Sequence, residues 1–374
     1  MGNGHSTSDS LPYRIRYNDP SLTELGLTTA LDGELDAVIG ALPRNRTIRS
    51  AVLFDAFTAH VLQRTLWWNF LDSLVAAKSL QQVEFLETDV PLETLRILLL
   101  QKPTLETLAV SDGIQLGSIT PDAIRRLGAA ILERQHAASL QLREFVWECN
   151  FDSVLHCFPD RSNTCPAILD PLLAPLGGLP NLELLGLVNS CHSTDETRTT
   201  VTTPSQPLLS PNGLFQFCSP RRHTLHTLDL SGCGLQDEHF VMLRKALMFQ
   251  QKQHQHLSPV SKTAASVSEE QPRPSGSIIA LKRLQVQRNH ATDMGLEELV
   301  KLAESNETLQ TLISDATGSL QQRIELWLAW NQRVRVTLGQ EPSLRALGTM
   351  AVSLRESPEF LFLLLRKYPQ LYYL

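Results

Sequence analysis

Between Leu225 and Leu235 the chain reads Leu-His-Thr-Leu-Asp-Leu-Ser-Gly-Cys-Gly-Leu, the pattern L-x-x-L-x-L-x-x-C-x-L. Few patterns restrict a fold so tightly. Leu225, Leu228 and Leu230 are expected on one side and Thr227 and Asp229 on the other, following the period of two of a strand. Cys233 is expected to turn inward, where a Cys or Asn side chain bonds carbonyls that a turning chain leaves unpaired. Leu235 then re-enters the core. Phe240, Leu243 and Leu247 follow at helical spacing, behind Asp237 and Glu238, acids suited to the first turn of a helix. One such strand–turn–helix unit cannot bury its apolar face alone, so copies must stack.

Copies are present, unevenly spaced. Candidate strands begin at Leu22, Ile48, Leu80, Leu105, Leu142, Leu182, Leu225, Leu281 and Leu309, with spacings of 26, 32, 25, 37, 40, 43, 56 and 28 residues. The short spacings fit one repeat, and the long ones read as the same repeat with loop insertions. Cys233, Asn289 and Asn150 fill the inward Asn/Cys slot, and Ala30, Ala56 and Gly113 stand there in early repeats. Two insertions, residues 192–213 and 250–277, are rich in Thr, Ser, Gln and Pro. Neither buries enough apolar surface to offset its ordering entropy, so both are expected to be mobile. Ser-Pro or Thr-Pro pairs fall at Thr203, Ser210, Ser219 and Ser258.

The stretches Leu225 to Leu247, and Leu281 to Leu302 with Asn289, resemble the long repeats of ribonuclease-inhibitor-type leucine-rich-repeat proteins. The resemblance covers roughly residues 20 to 335. It implies a right-handed α/β horseshoe, with parallel strands on the concave face and helices on the convex face. The tail, Ile324 to Asn331 and Leu363 to Leu371, is similar to the closing segments of such proteins in unicellular algae. This gives a flexible segment over 1–20, a solenoid over 21–335 and a helical cap over 336–374. Trp327 and Trp330 are expected to cover the last repeat's open core, and Trp67 and Trp68 to sit on a helix with at most one of them outside.

Composition narrows the function. The net charge of −6, from 33 basic and 39 acidic residues, argues against nucleic acid, as no basic run exists. The longest apolar stretches fall far short of a membrane span, and the N-terminus lacks a signal peptide's charged and apolar regions. Cytoplasmic residence follows as the expectation. The six cysteines form no C-x-x-C pair, and reduced thiols are the natural reading. His254 and His256 offer no third ligand, so no metal or other cofactor is expected. The adjacent pairs His156-Cys157 and Cys191-His192 are read as ordinary packing. There is no P-loop, G-x-S-x-G elbow or H-E-x-x-H motif, and no catalytic residue is assigned. Met1-Gly2-Asn3-Gly4-His5-Ser6 matches the acceptor for N-myristoylation at Gly2. One acyl chain gives only transient membrane contact.

The candidate binding surface is the concave sheet face. Its outward residues include Glu24, Ser50, Glu84, Thr107, Glu144, Glu148, Thr227, Asp229, Arg283, Gln285 and Gln287, acidic in earlier strands and basic in the Leu281 strand. The expected function is a monomeric, non-enzymatic scaffold that holds a partner protein there. One alternative resembles the leucine-rich-repeat activator of the Ran GTPase, although no arginine here matches its inserted arginine and its acidic tail is absent. A second, a ubiquitin-ligase adaptor, needs an F-box segment, and only about twenty residues precede Leu22.

Overall fold

A computed structural model describes residues 10–28, 34–54, 64–137, 140–151, 167–190, 206–219, 224–257, 281–306, 308–332, 344–353 and 358–368. Gly2, Ala30, Ala56, the Thr203 and Ser258 pairs, both His-Cys pairs and Tyr372 to Leu374 lie outside them.

Nine strands run β1 (Glu24–Leu27), β2 (Ser50–Phe54), β3 (Gln82–Leu86), β4 (Thr107–Ser111), β5 (Glu144–Cys149), β6 (Leu184–Asn189), β7 (Thr227–Asp229), β8 (Arg283–Gln285) and β9 (Thr311–Ile313). Each begins two residues after its marker leucine or isoleucine, from Leu22 to Leu309. All are parallel and hydrogen-bond in chain order, giving one open sheet. The helices are α1 (Leu11–Arg16), α2 (Leu35–Ala41), α3 (Arg64–Ala76), α4 (Leu92–Gln101), α5 (Pro121–His136), α6 (Asp170–Gly177), α7 (Pro211–Cys218), α8 (Asp237–Leu257), α9 (Asp293–Ser305), α10 (Gly318–Trp330), α11 (Leu344–Ser353) and α12 (Pro358–Lys367). From α1 to α10 each helix packs against the next. The result is an α/β solenoid. Leu25, Val83, Leu108, Phe145, Leu185, Leu228 and Leu284 are fully buried between sheet and helices. Trp327 and Trp330 are buried as well, and so is Trp67, whereas Trp68 is partly exposed.

Three side-chain devices hold neighbouring repeats in step. The first is the inward ladder: Cys233 Sγ donates to Leu187 O at 2.9 Å. Asn289 Nδ2 donates to Leu230 O at 3.0 Å while its Oδ1 accepts from Leu235 N. In β6 the job falls to Asn189, one position earlier, whose Oδ1 accepts from Phe151 N at 2.9 Å. Gly113 lacks a side chain because a Cβ there would stand 2.9 Å from Thr88 Oγ1.

The second device seeds the strands. Asn45 and Asn306 are buried, and each Oδ1 accepts from the two backbone N–H groups that open the next strand segment, Thr47 and Ile48 or Thr308 and Leu309. Asn45-Arg-Thr and Asn306-Glu-Thr are thus Asx turns whose side chains face inward. Lys102 occupies the corresponding place before β4. Its ammonium donates to Ala77 O at 2.5 Å, at the end of α3. Burial pulls its pKa down to about 8.

The third device joins helix starts. Asp237 Oδ1 accepts from Thr292 N and Gly295 N, and its Oδ2 from Thr292 Oγ1 at 2.6 Å. Asp170 likewise takes Ser210 N and Ser210 Oγ. An acid in one helix's first turn therefore holds the N-cap of the next.

Three expectations need correction. The end of the first insertion is packed: Leu208 and Leu209 are buried, Ser210 caps α7 by accepting from Gly213 N, and residues 211–213 are the start of that helix. Helix α8 runs to Leu257, so residues 250–257 of the second insertion are helical rather than loop. Residues 11–16 are folded as α1, whose Ile15 is buried and accepts from Asn45 Nδ2 at 2.8 Å.

Candidate functional site

The side of the sheet away from the buried row is built from residues that share its register. One row runs Glu24, Ser50, Gln82, Thr107, Glu144, Leu184, Thr227, Arg283, Thr311. The next runs Gly26, Val52, Glu84, Ala109, Val146, Gly186, Asp229, Gln285, Ile313. Over the longer strands a third row adds Phe54, Leu86, Ser111, Glu148 and Val188. Thr107, Glu144, Thr227 and Arg283 therefore stand side by side in the first row, and Glu84, Asp229 and Gln285 in the second. Glu148 lies in the third. Gln287 lies beyond the end of β8 and accepts Gly232 N through its carbonyl. Thr107 is 8% exposed, less open than its row implies, and its hydroxyl donates to Glu144 Oε2 at 3.4 Å.

The polar reading of this face is incomplete. Between the acids lies apolar surface: Ala109 and Val146 in the second row, Leu184 in the first, Phe54 and Leu86 in the third, with Val52, Gly186 and Val188 buried beside them. Phe54 is 44% exposed. At Gly186 a Cβ would stand 3.2 Å from Val146 Cγ1, so the Val146 side chain already occupies the space over the glycine. The signal for this surface was present in the sequence. The strands Ser-Ala-Val-Leu-Phe and Leu-Leu-Gly-Leu-Val-Asn are apolar at successive positions rather than alternating, as in strands covered on both sides.

Among the described residues no cation pairs with Glu84, Glu144 or Glu148. Asp229 is held by Ser231, through its N–H at 3.0 Å and its hydroxyl at 2.6 Å. At the ends of β4 and β5, Ser190 Oγ donates to Asp112 Oδ1, and Asp112 N to Glu148 O. Beneath, burial and then the Asp112 charge push the Cys149 thiol up to about 12. It stays protonated at neutral pH, so it is no ready nucleophile. Cys149, Cys218 and Cys233 are buried. Among the described residues no group of three His, Cys, Asp or Glu side chains is placed to hold a metal ion. No described helix is long and apolar enough to cross a membrane.

No family model matches the chain, and no curated protein matches it. Among solved structures it is similar to the leiomodin-1 actin-binding site 2, at 16% identity over 54% of this chain and 87% of that one, with a TM-score of 0.34. It is also similar to the tropomodulin C-terminal domain of Caenorhabditis elegans, at 14% identity over 56% of this chain and 96% of that one, with a TM-score of 0.35. Likeness at this level says nothing about what this chain binds.

Proposed function

We propose that the chain is a non-enzymatic protein-interaction scaffold. Its open sheet face takes a partner segment that presents apolar side chains between basic ones. The observation that carries this reading is the composition of the face over β3 to β7. Ala109, Val146 and Leu184 form a partly exposed apolar centre, and Glu84, Glu144, Glu148 and Asp229 surround it. Apolar side chains on a sheet face gain by being covered, at roughly 25 cal/mol per Å² removed from water. Covering the neighbouring carboxylates costs desolvation unless the partner brings cations. Basic groups on the partner therefore set selectivity and encounter rate, and the apolar centre sets the residence time.

The test is photo-crosslinking from position 146 of the full chain in cells, repeated with Glu144→Lys/Asp229→Lys and with the helix-side control Gln322→Lys. The reading requires a discrete crosslinked partner that disappears in the double reversal and persists in the control. Identical crosslinks in all three chains would sink it.

A further inference from the structure

One corner of the face differs from the rest in charge. Where β1, β2 and β3 begin, a recess of about 630 Å³ opens at the sheet edge, and Arg46, Arg49, Thr23, Ser50, Gln82 and Glu24 line it. Both arginines are exposed, and among the described residues neither guanidinium has a hydrogen-bonding or carboxylate partner. Arg14, Arg96, Arg143, Arg244, Arg323 and Arg366 each hold a carboxylate, whereas Arg46 and Arg49 line one recess with their guanidinium groups left for a ligand.

The two side chains leave a fixed backbone. Arg46 N donates to Asn18 Oδ1 at 2.5 Å, one residue after the buried Asn45 turn. Arg49 N donates to Thr23 O at 2.8 Å, and Arg49 O accepts from Gln81 N and Gln82 N at 2.8 and 3.0 Å. Two arginines three residues apart thus line a recess whose other side-chain donors are the hydroxyls of Thr23, Thr47 and Ser50 and the amides of Gln81 and Gln82, the Gln81 amide donating to Glu106 Oε1. Its charged lining is two cations against the single carboxylate of Glu24, so the recess favours an anion. A tetrahedral oxyanion has enough acceptor oxygens to take both planar forks and still accept from Thr23 or Ser50. No aromatic side chain lines the recess, so nothing there selects a base or ring.

We propose that this recess is a binding site for the phosphate group of a phosphorylated side chain. It stands apart from the sheet-face reading, because it uses other residues and opposite charge.

The test is titration of the full chain with inorganic phosphate and with O-phosphoserine at constant ionic strength, followed by calorimetry. Saturable binding is expected. Arg46→Gln/Arg49→Gln should weaken it by about tenfold or more, the loss of at least one charge-assisted hydrogen bond. Glu24→Gln should tighten it, and Arg125→Gln/Arg126→Gln, on α5, should leave it unchanged. Phosphoinositide vesicles form the second arm. Vesicle binding that the Arg46/Arg49 variant abolishes and free phosphate competes away, without binding to O-phosphoserine, would overturn the phosphorylated-side-chain reading in favour of a lipid headgroup. Absence of saturable binding to either soluble anion, equal weakening in the α5 variant, or vesicle binding indifferent to Arg46 and Arg49 would each overturn the proposal. Circular dichroism of every variant confirms that it is folded. Because the probes are small anions, a negative result here leaves the crosslinking outcome at position 146 untouched.

Discussion

Strands β7 to β9 and strands β5 to β6 carry the same repeat in different ways. The three later strands are three residues long, and their outward positions are mostly polar: Thr227, Asp229, Arg283, Gln285 and Thr311. The two earlier ones are six residues long, and Val146, Leu184, Gly186 and Val188 face outward among their acids. The most regular pattern in the chain, Leu225 to Leu235, thus belongs to the half whose outward face is content in water. The looser repeats hold the surface that calls for covering. Regularity in such an array reports on the core, and departure from it reports on what the core is for.

The comparison can be broken hardest from the inside. Leu228→Ala, in the regular half, should cost about 2–5 kcal/mol by leaving a cavity in a fully buried row. Val146→Ser, on the outward face of β5, should cost less than about 1 kcal/mol while removing the crosslinked partner. Urea unfolding separates the two. Comparable losses would mean that Val146 is core rather than surface.

A smaller effect sharpens the regular half. Asp237→Ala leaves Thr292 N and Gly295 N without their shared acceptor, and should cost about 1–2 kcal/mol. Urea unfolding of this variant should show an earlier midpoint, and a midpoint equal to wild type would argue that water serves those groups as well.

In the earlier half, Lys102 offers a pH test. Its folded pKa, about 8, lies below lysine's ordinary value of 10.5. Between those values the unfolded chain binds more protons, so the lysine's contribution makes stability rise with pH across that window. Lys102→Met should remove the rise, read as the difference in urea midpoint between pH 7.5 and 9.5 for the two chains. The smallest effect is expected of Gly186→Ala. The added Cβ must displace Val146 by a few tenths of an ångström, so stability should move by no more than about 1 kcal/mol. Partner affinity should fall as Val146 is displaced, measured by the same crosslinking yield.

The positions of all nine strands were legible, because each needs the same leucine or isoleucine two residues ahead of it. The ladder roles of Cys233 and Asn289 were legible for the same reason. Asn189 was not, since it acts one position early in a strand longer than the pattern allows. The N-terminal and inserted segments misled through composition: Leu208 and Leu209 are two leucines in a Thr/Pro-rich stretch, yet they are buried. The acidic members of the sheet face were read from alternation, which by construction passes over Val146 and Leu184. The recess around Arg46 and Arg49 needs Thr23, Arg49 and Gln82 brought together from three repeats, a placement that depends on register.

The register has a further consequence in time. Each strand hydrogen-bonds only to its sequence neighbours, so chain order and spatial order coincide. During synthesis the Arg46 recess, built from residues 20 to 82, can close before β5 has left the ribosome. The acidic and apolar face follows, and it reaches its far border, Asp229, only after the long connection between β6 and β7 has been made. A ligand for the corner can therefore meet a nascent chain that a ligand for the centre cannot yet recognise.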